Sequence, residues 1–335
     1  YCLWTVIGAQ AICAVYNMYI AYYCKKHGTY NYRSFNDSFY GKFAPVFSNL
    51  FEIVYIFVLL VVPAVAFSTG GTTLATLTGI PYIVCTAAIG IFIFIVAIYG
   101  TAIVRKVATV LSILIVVGLL VVFIPNIFVQ WDQITMNIGS MSATHMPLWP
   151  AVWSMIVYAA FQIASSPAIH SQHAEALGEP KDSVFTYVLG FVVNSAMIFL
   201  ATLGLMAIVN TDEYASASLP VIVLIQSGVG GKILMPIISI LIILGSVSTA
   251  VNMVSAGTAR VCSMIDKNYD PDGRPTTKVV ITTLVLCIIG FCVAQFGLLA
   301  LVQKGYGILA YLTFPVIMIP YIIHAIVTKC DTKKA

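Results

Sequence analysis

Charged residues are scarce in this chain of 335 residues: they make up 8% of it, whereas hydrophobic residues make up 60%. The mean hydropathy of +1.00 lies far above that of an average soluble protein, so a water-soluble globular fold is excluded. Apolar runs of about 20 residues, long enough to cross a membrane as a helix, recur along the chain. Alternating segments of about 10 residues, typical of outer-membrane barrels, do not. The composition predicts an all-α integral membrane protein.

Several kinds of functional motif are also missing. No C-x-x-C pair joins any of the eight cysteines, which lie mostly inside apolar runs, so we expect packing residues instead of disulfides or metal ligands. No group of catalytic carboxylates, metal ligands or a nucleophile triad suggests an enzyme, and no nucleotide motif suggests a primary pump or a bound cofactor. The net charge of +4 comes mainly from loops, so it reflects membrane topology and not nucleic-acid binding.

The apolar runs predict nine membrane-spanning helices. They cover residues 1–24, 46–70, 80–99, 106–125, 148–177, 184–209, 232–264, 277–296 and 300–327. The connections 71–79, 126–147, 210–231 and 297–299 contain no Lys or Arg. The alternate connections carry the basic residues Lys25, Lys26, Arg33, Lys42, Arg105, Lys106, Lys181, Lys267, Arg274, Lys278, Lys329, Lys333 and Lys334. The positive-inside rule therefore predicts a multi-pass protein of the cell membrane with its carboxyl terminus in the cytoplasm.

The predicted orientation places Tyr1 outside, although no basic leader or cleavable signal peptide precedes the first span. The simplest explanation is a further helix upstream of Tyr1, which would give ten helices with both ends inside. Residues 1–125 would then hold helices 2 to 5 of a first repeat, and residues 148–327 would hold helices 6 to 10 of a second. Because five is odd, the repeats would have opposite orientations, as in many transporters. Residues 1–335 are predicted to form a single transmembrane domain.

The segment 148–177 is interrupted near its centre by Ala164, Ser165, Ser166 and Pro167. Pro167 has no backbone N–H and clashes with the preceding turn, so carbonyls near Gln162 lose their partners. The half-helix that follows offers free N–H groups to a carboxylate. The break therefore predicts a binding site, in which Gln162 needs a polar partner. The alternative interpretation is a proline kink whose backbone groups are satisfied by the serine hydroxyls.

The run Phe161-Gln162-Ile163-Ala164-Ser165-Ser166-Pro167, with the His-rich half-helix after it, resembles the YkvI family of putative amino acid permeases. That family is part of the amino acid-polyamine-organocation superfamily, which has the leucine-transporter fold. The resemblance spans essentially the whole chain and implies a 5+5 inverted repeat whose first and sixth helices are unwound at the bilayer midplane. It also implies that Phe161 covers a bound side chain and that Tyr55 contacts the substrate carboxylate. The chain departs from the fold in lacking the first helix.

The resemblance further implies a sodium site on the span 232–264, where Ser248 and Thr249 match a pair of hydroxyl ligands and Gly245 matches a carbonyl ligand. Oxygen ligands suit a hard cation. Small residues that permit close helix packing are the alternative interpretation. Some sodium-independent relatives place a lysine on the fifth helix instead, and residues 107–125 contain none.

Proton coupling is the competing hypothesis, and it has its own candidate residues. A carboxylate such as that of Glu52 destabilises a membrane span unless it is paired, hydrated or used to transfer protons. His170, His173 and Glu175 on the inner half of the broken helix are candidates for a proton relay with Glu52 or for a gate. Solvation near the membrane surface would also explain these three residues. The two histidines form an incomplete metal site, so no metal beyond sodium is predicted.

The sequence favours a secondary active transporter that moves an amino acid or a similar small zwitterion, coupled to sodium, by alternating access around the break. Two alternatives stay open. One is a proton-coupled transporter, and the other is a membrane sensor or receptor subunit that keeps the fold and its pocket without moving solute. The expected partners are the small-molecule substrate and the lipid bilayer.

Overall fold

The computed structural model describes residues 1–99, 101–143, 147–266 and 275–331, and every regular element within them is helical. The first eight helices are α1 (Cys2–His27), α2 (Tyr32–Tyr40), α3 (Ala44–Thr78), α4 (Tyr82–Tyr99), α5 (Thr101–Val129), α6 (Trp131–Ala143), α7 (Leu148–Ile163) and α8 (Ser166–His173). They are followed by α9 (Asp182–Leu205), α10 (Asp212–Ser216), α11 (Pro220–Ser227), α12 (Gly231–Ile265), α13 (Thr277–Ala294), α14 (Leu298–Ala300), α15 (Tyr306–Thr313) and α16 (Ile319–Val327). The basic residues Lys267, Arg274, Lys333 and Lys334 lie outside the described residues.

Among the described residues, eight helices are long and apolar enough to cross a membrane, and the bent pair α7 and α8 makes a ninth when counted as one span. The prediction of an all-α, multi-pass membrane protein is therefore confirmed. The segments 29–43, 126–147 and 210–231, which join predicted spans, contain the helices α2, α6, α10 and α11. These helices are short, and most are too polar to stand out as apolar runs.

The chain forms two compact units, each of which takes helices from both halves of the sequence. The first unit contains the described residues of 1–58, 147–202 and 306–331. In it, α1 packs against α7 and α8, and α7 also packs against α15. The second unit contains the described residues of 59–143 and 203–305. Its core is an apolar cluster from α3, α4, α12 and α13, in which Phe67, Ile93 and Val251 are fully buried.

The second unit includes one very close helix approach, between α3 and α4. A side chain added at Gly71 would place its Cβ atom 2.1 Å from Thr86 Oγ1 and 3.0 Å from Thr86 Cα. Small residues permit such contacts between membrane helices, where dispersion forces and not water exclusion drive association. Gly71 therefore fixes how closely α3 and α4 pack.

Helix α2 in the first unit is strongly amphipathic and begins at Asn31, whose side chain accepts a hydrogen bond from Arg33 N–H at 2.8 Å. Its apolar face packs against α8 and α16. Phe39 stacks on His324 with ring centroids 3.9 Å apart, and Tyr321 Oη donates to Asn36 Oδ1 at 3.3 Å. These contacts hold α2 against α16.

Residues Lys329, Cys330 and Asp331, just after α16, all have positive φ angles, between 51° and 62°. Left-handed backbone costs a non-glycine residue roughly 1–2 kcal/mol. The Asp331 carboxylate lies 3.0 Å from Lys26 Nζ and 2.9 Å from His27 Nε2, at the end of α1. Burial alone would raise the pKa of Asp331, but hydrogen bonds from Lys26 and His27 have the larger combined effect and hold the pKa below its usual value. The ion pairs stabilise a turn that the sequence alone disfavours.

The last span, Leu298–Val327, is not a regular helix. It contains π-helical turns at Leu301–Gly305 and Phe314–Met318, and Pro315 lies in the second of these turns. Proline removes a hydrogen-bond donor, and a π turn is one way in which a helix accommodates that loss. All eight cysteines are free thiols, as the sequence predicted.

Candidate functional site

The predicted break in the fifth span is present. Helices α7 and α8 are bent by 55° at Ala164 and Ser165. Ala164 N–H bonds to Ala160 O at 3.1 Å, and the next described backbone bonds run from Ala168 and Ile169 N–H to Ser165 O. Among the described backbone hydrogen bonds of the break, none involves Ser165 N–H, and its side chain makes no capping bond. The helix is thus interrupted in the first unit where the sequence places its small polar residues.

The break is walled on one side by α1, which presents Gln10, Cys13 and Asn17 on one face because seven residues make nearly two turns. Gln10 is 4% exposed, and its Nε2 atom donates to Gln162 Oε1 at 3.2 Å. Cys13 Sγ donates to Ala159 O at 3.7 Å. The polar partner that the sequence required for Gln162 is therefore an amide on α1. Gln162 Nε2 and Asn17 Oδ1 are buried and make no hydrogen bond.

The residues of the break differ in burial. Ala164, Ser166 and Pro167 are buried, whereas Phe161, Gln162 and Ser165 are partly exposed. Phe161 stacks on Tyr306 of α15 with ring centroids 3.9 Å apart and an interplanar angle of 18°. Phe161 is thereby held in place beside the break by a partner that the sequence did not identify, and its role as a lid stays a prediction.

The half-helix α8 carries His170, whose Nδ1 lies 2.7 Å from Tyr187 Oη on α9. The rings of His170 and His173 are 5.7 Å apart and nearly perpendicular. Glu175 lies in the 3₁₀ turn after α8, and its backbone carbonyl accepts a hydrogen bond from Lys25 Nζ at 3.3 Å. The two histidines are close neighbours, and His170 has a defined hydrogen-bond partner, but their role in a relay or gate stays a prediction.

Glu52 on α3 lies beside α2 and contacts two of its side chains. Its carboxylate is 3.7 Å from Arg33 Nη1, and Tyr32 Oη donates to it at 3.3 Å. Arg33 Nη1 also donates to Asn49 Oδ1 at 2.9 Å, and Tyr55 packs on Tyr32 with ring centroids 5.0 Å apart. Of the three explanations for Glu52, the structure shows pairing. Asn49, Glu52 and Tyr55 follow one another at intervals of three residues and share one face of α3, and that face meets α2. Contact between Tyr55 and the substrate stays a prediction.

The predicted sodium ligands lie on α12 in the second unit. Thr249 is exposed, and its Oγ1 donates to Gly245 O at 3.0 Å. Ser248 is partly exposed. A hydroxyl that donates one bond keeps two lone pairs, and a carbonyl oxygen keeps its second, so all three residues retain acceptor capacity for a cation. Two of the three predicted ligands are thus adjacent in space, and their role in sodium binding stays a prediction.

Sequence reasoning missed four residues of these sites: Gln10 and Asn17 on α1, Tyr187 on α9 and Tyr306 on α15. The two amides had a signal, because polar residues seven apart in an apolar span indicate one polar face. The two tyrosines had none, since a tyrosine in a membrane span is common and only the fold shows which ring it meets.

Comparison with known protein families and with curated proteins finds no match. The resemblance to the YkvI permeases therefore rests on the sequence of this chain, through the residues of the break and the order of the spans.

Proposed function

We propose that this protein is a secondary active transporter of an amino acid or a similar small zwitterion, coupled to sodium, and that it works by alternating access around the break at Ala164 and Ser165. The observation that carries this proposal is a membrane span bent by 55°, with an unpartnered N–H at Ser165 and small residues around it. Interrupted spans of this kind bring backbone groups to a solute at the bilayer midplane.

The proposal includes the leucine-transporter-like 5+5 repeat and membership of the YkvI permeases. The residues from Phe161 to Pro167 support it, as does the order of the spans, in which the bent pair is the fifth of nine. With the basic loops inside, the protein would lie in the cell membrane with its carboxyl terminus in the cytoplasm.

Sodium is the proposed coupling ion, with Gly245, Ser248 and Thr249 among its ligands. The hydrogen bond between Thr249 and Gly245 supports this assignment because it holds two oxygen ligands in neighbouring positions. Proton coupling is the second candidate, and the contact between His170 and Tyr187 favours it. A partly buried imidazole with a hydroxyl partner can accept and donate a proton in a membrane protein.

The test is uptake of radiolabelled L-amino acids into proteoliposomes that contain the full-length protein, under an imposed sodium gradient or an imposed proton gradient. We expect saturable uptake of at least one amino acid that the sodium gradient stimulates. Stimulation by the proton gradient alone would favour the second candidate. Binding without any uptake would identify a sensor, and absence of both would refute the proposal.

Ser165→Leu is the matching site variant. The larger side chain would occupy the space through which a substrate reaches the unpartnered N–H, so we expect saturable binding and uptake to be lost. Ser216→Leu is the control, because Ser216 is exposed on α10 and lies outside the break. Binding by Ser165→Leu equal to that of the control would move the substrate site elsewhere.

A further inference from the structure

The buried polar atoms of the first unit that make no hydrogen bond include Asn17 Oδ1, Gln162 Nε2 and Ser195 Oγ. Helix geometry places all three near the level of the break. They come from three different helices, α1, α7 and α9. A buried polar group that makes no hydrogen bond lowers the stability of a protein, and each one needs an explanation. A ligand that bonds to all three is such an explanation.

Asn17 lies beside the start of α8. Two contacts set the alignment of α1 with the broken span: Gln10 bonds to Gln162, and Lys25 Nζ bonds to Glu175 O. Both helices therefore run in the same direction. Asn17 lies about 10 Å beyond Gln10 along α1, on the same face, since seven residues rise about 10 Å in nearly two turns. This position is level with the first turn of α8, against which α1 also packs.

Ser195 reaches the same level from α9. The short connection after α8 makes α9 antiparallel to it, and the contact between His170 and Tyr187 aligns the two helices. Ser195 lies eight residues after Tyr187, about 12 Å back along the span and within a quarter-turn of the same face. Its side chain is 8% exposed. Ser195 therefore lies beyond His170 along the span, at the level of the break.

Gln162 contributes a hydrogen-bond donor whose direction is set by α1. Gln10 Nε2 donates to Gln162 Oε1, so the opposite end of the Gln162 amide, Nε2, points away from that bond and stays unpartnered. The three atoms therefore differ in chemistry. Gln162 offers an N–H donor, Asn17 offers an oxygen acceptor, and the Ser195 hydroxyl serves as either.

The surrounding segments indicate the charge of the ligand. Residues 10–17, 161–170 and 187–195 contain no Asp, Glu, Lys or Arg. An uncompensated charge within a membrane span is costly, so a ligand with a net charge would be disfavoured here. A carboxylate oxygen matches the Gln162 donor, and an ammonium group matches the Asn17 acceptor. Both groups occur together, without net charge, in an amino acid whose side chain is uncharged.

We propose that Asn17 and Ser195 are substrate ligands which, together with Gln162, select amino acids of zero net charge at the break. This inference rests on the proposed function. It adds two substrate ligands and restricts the substrate to amino acids of zero net charge. Asn17 accepts a hydrogen bond from the ammonium group, Gln162 donates one to the carboxylate, and Ser195 completes the site from the opposite helix.

The test measures ligand affinity and thermal unfolding of the purified full-length protein at fixed sodium chloride. The probes are L-alanine, L-serine, L-leucine and L-phenylalanine, with L-lysine and L-glutamate as charged counterparts. We expect the uncharged side chains to bind most tightly. Asn17→Leu and Ser195→Ala should raise the dissociation constant of the best probe about tenfold or more, since each removes a bond to the ligand. Both should unfold at a higher temperature than the wild type without ligand.

Ser48→Ala is the matched control for Ser195→Ala, because Ser48 on α3 is fully buried and its hydroxyl also lacks a partner. It should raise the unfolding temperature without ligand and leave the dissociation constant unchanged. Asn17→Ala replaces Asn17→Leu if the leucine variant does not fold, with the same expected loss of affinity.

Three results would overturn the inference, and they differ from failure of the proposed function. Unchanged amino acid affinity in the Asn17 and Ser195 variants would remove these residues from the site while the transporter proposal stands. If the variants changed only the affinity for sodium, Asn17 and Ser195 would be assigned to an ion site instead. Tightest binding of L-lysine or L-glutamate would reject the charge class. No binding of any amino acid by the wild type would instead reject the proposed function itself.

Discussion

The amide pair between Gln10 and Gln162 offers the most direct test of the site geometry, because it joins α1 to the last turn before the break. Gln10→Leu removes the donor of the 3.2 Å bond and leaves Gln162 Oε1 without a partner, next to an Nε2 atom that already has none. Both ends of one amide would then be buried and unpaired. Adding Gln162→Leu removes that amide altogether.

The expected magnitudes follow from the cost of an unpaired group. A buried polar group left without a partner costs about 1–3 kcal/mol, and hydrogen bonds between membrane helices contribute about 0.6 kcal/mol on average. We expect Gln10→Leu to lower the free energy of unfolding by about 1–2 kcal/mol. The double variant Gln10→Leu, Gln162→Leu should recover about 1 kcal/mol of that loss, because two leucines pack without unpaired groups. The same double variant should bind no substrate, since the donor is gone.

The assay is reversible unfolding in mixed micelles, followed by circular dichroism, for the wild type, both single variants and the double variant. Gln295→Leu is the control, since Gln295 is exposed and the one described bond of its side chain is to Phe291 O of α13, the helix that it caps. A surface change of this kind should stay within about 0.5 kcal/mol of the wild type. A double variant less stable than Gln10→Leu alone would refute the pairing.

Three further predictions concern the ion site, the packing and the charged turn. Alanine at both Ser248 and Thr249 should abolish sodium stimulation of uptake without changing the unfolding temperature, and sodium-dependent uptake that persists would reject the ion assignment. Gly71→Ala should destabilise by about 1–3 kcal/mol, since its Cβ would lie 2.1 Å from a neighbouring hydroxyl oxygen. Gly139→Ala, with nothing within 4 Å, should stabilise by about 0.5–1 kcal/mol in the same unfolding assay, and equal effects would contradict the close approach. The pKa of Asp331 lies below its ordinary 3.8, so its contribution to stability is complete above that pH and is lost as the pH falls through the lower folded-state pKa. Asp331→Asn should be less stable than the wild type at neutral pH and should lack that acid-dependent part of the stability profile, and a profile identical to the wild type would rule out the ion pair.

Most of the spans could be predicted from the sequence, because a run of about 20 apolar residues has few alternatives to a membrane helix. The interrupted span was also predictable, since Pro167 removes a backbone donor whatever surrounds it. Helix α2 was not, because nine residues with four aromatic side chains and mixed polar residues resemble a surface loop until the partner helices are known. Its helical form depends on packing against α8 and α16.

Within the candidate site, the proximity of residues adjacent in sequence could be predicted. Contacts between residues on different helices could not. The residues from Phe161 to Pro167 are adjacent in sequence, so their proximity needed no fold. Gln10 lies 152 residues from Gln162, and no pattern in a single sequence indicates which of several polar residues in membrane spans meet. The same reasoning applies to Glu52, because no pattern in the sequence identifies Arg33 as its partner.

The turn formed by Lys329, Cys330 and Asp331 bears on how easily the first and last helices of this chain separate. If the carboxylate leaves Lys26 and His27, the favourable ionic contact is lost, but three residues in left-handed backbone are also freed to adopt a more favourable conformation. The second change partly offsets the first. Separating these two helix ends therefore costs less free energy than the contacts of Asp331 alone suggest.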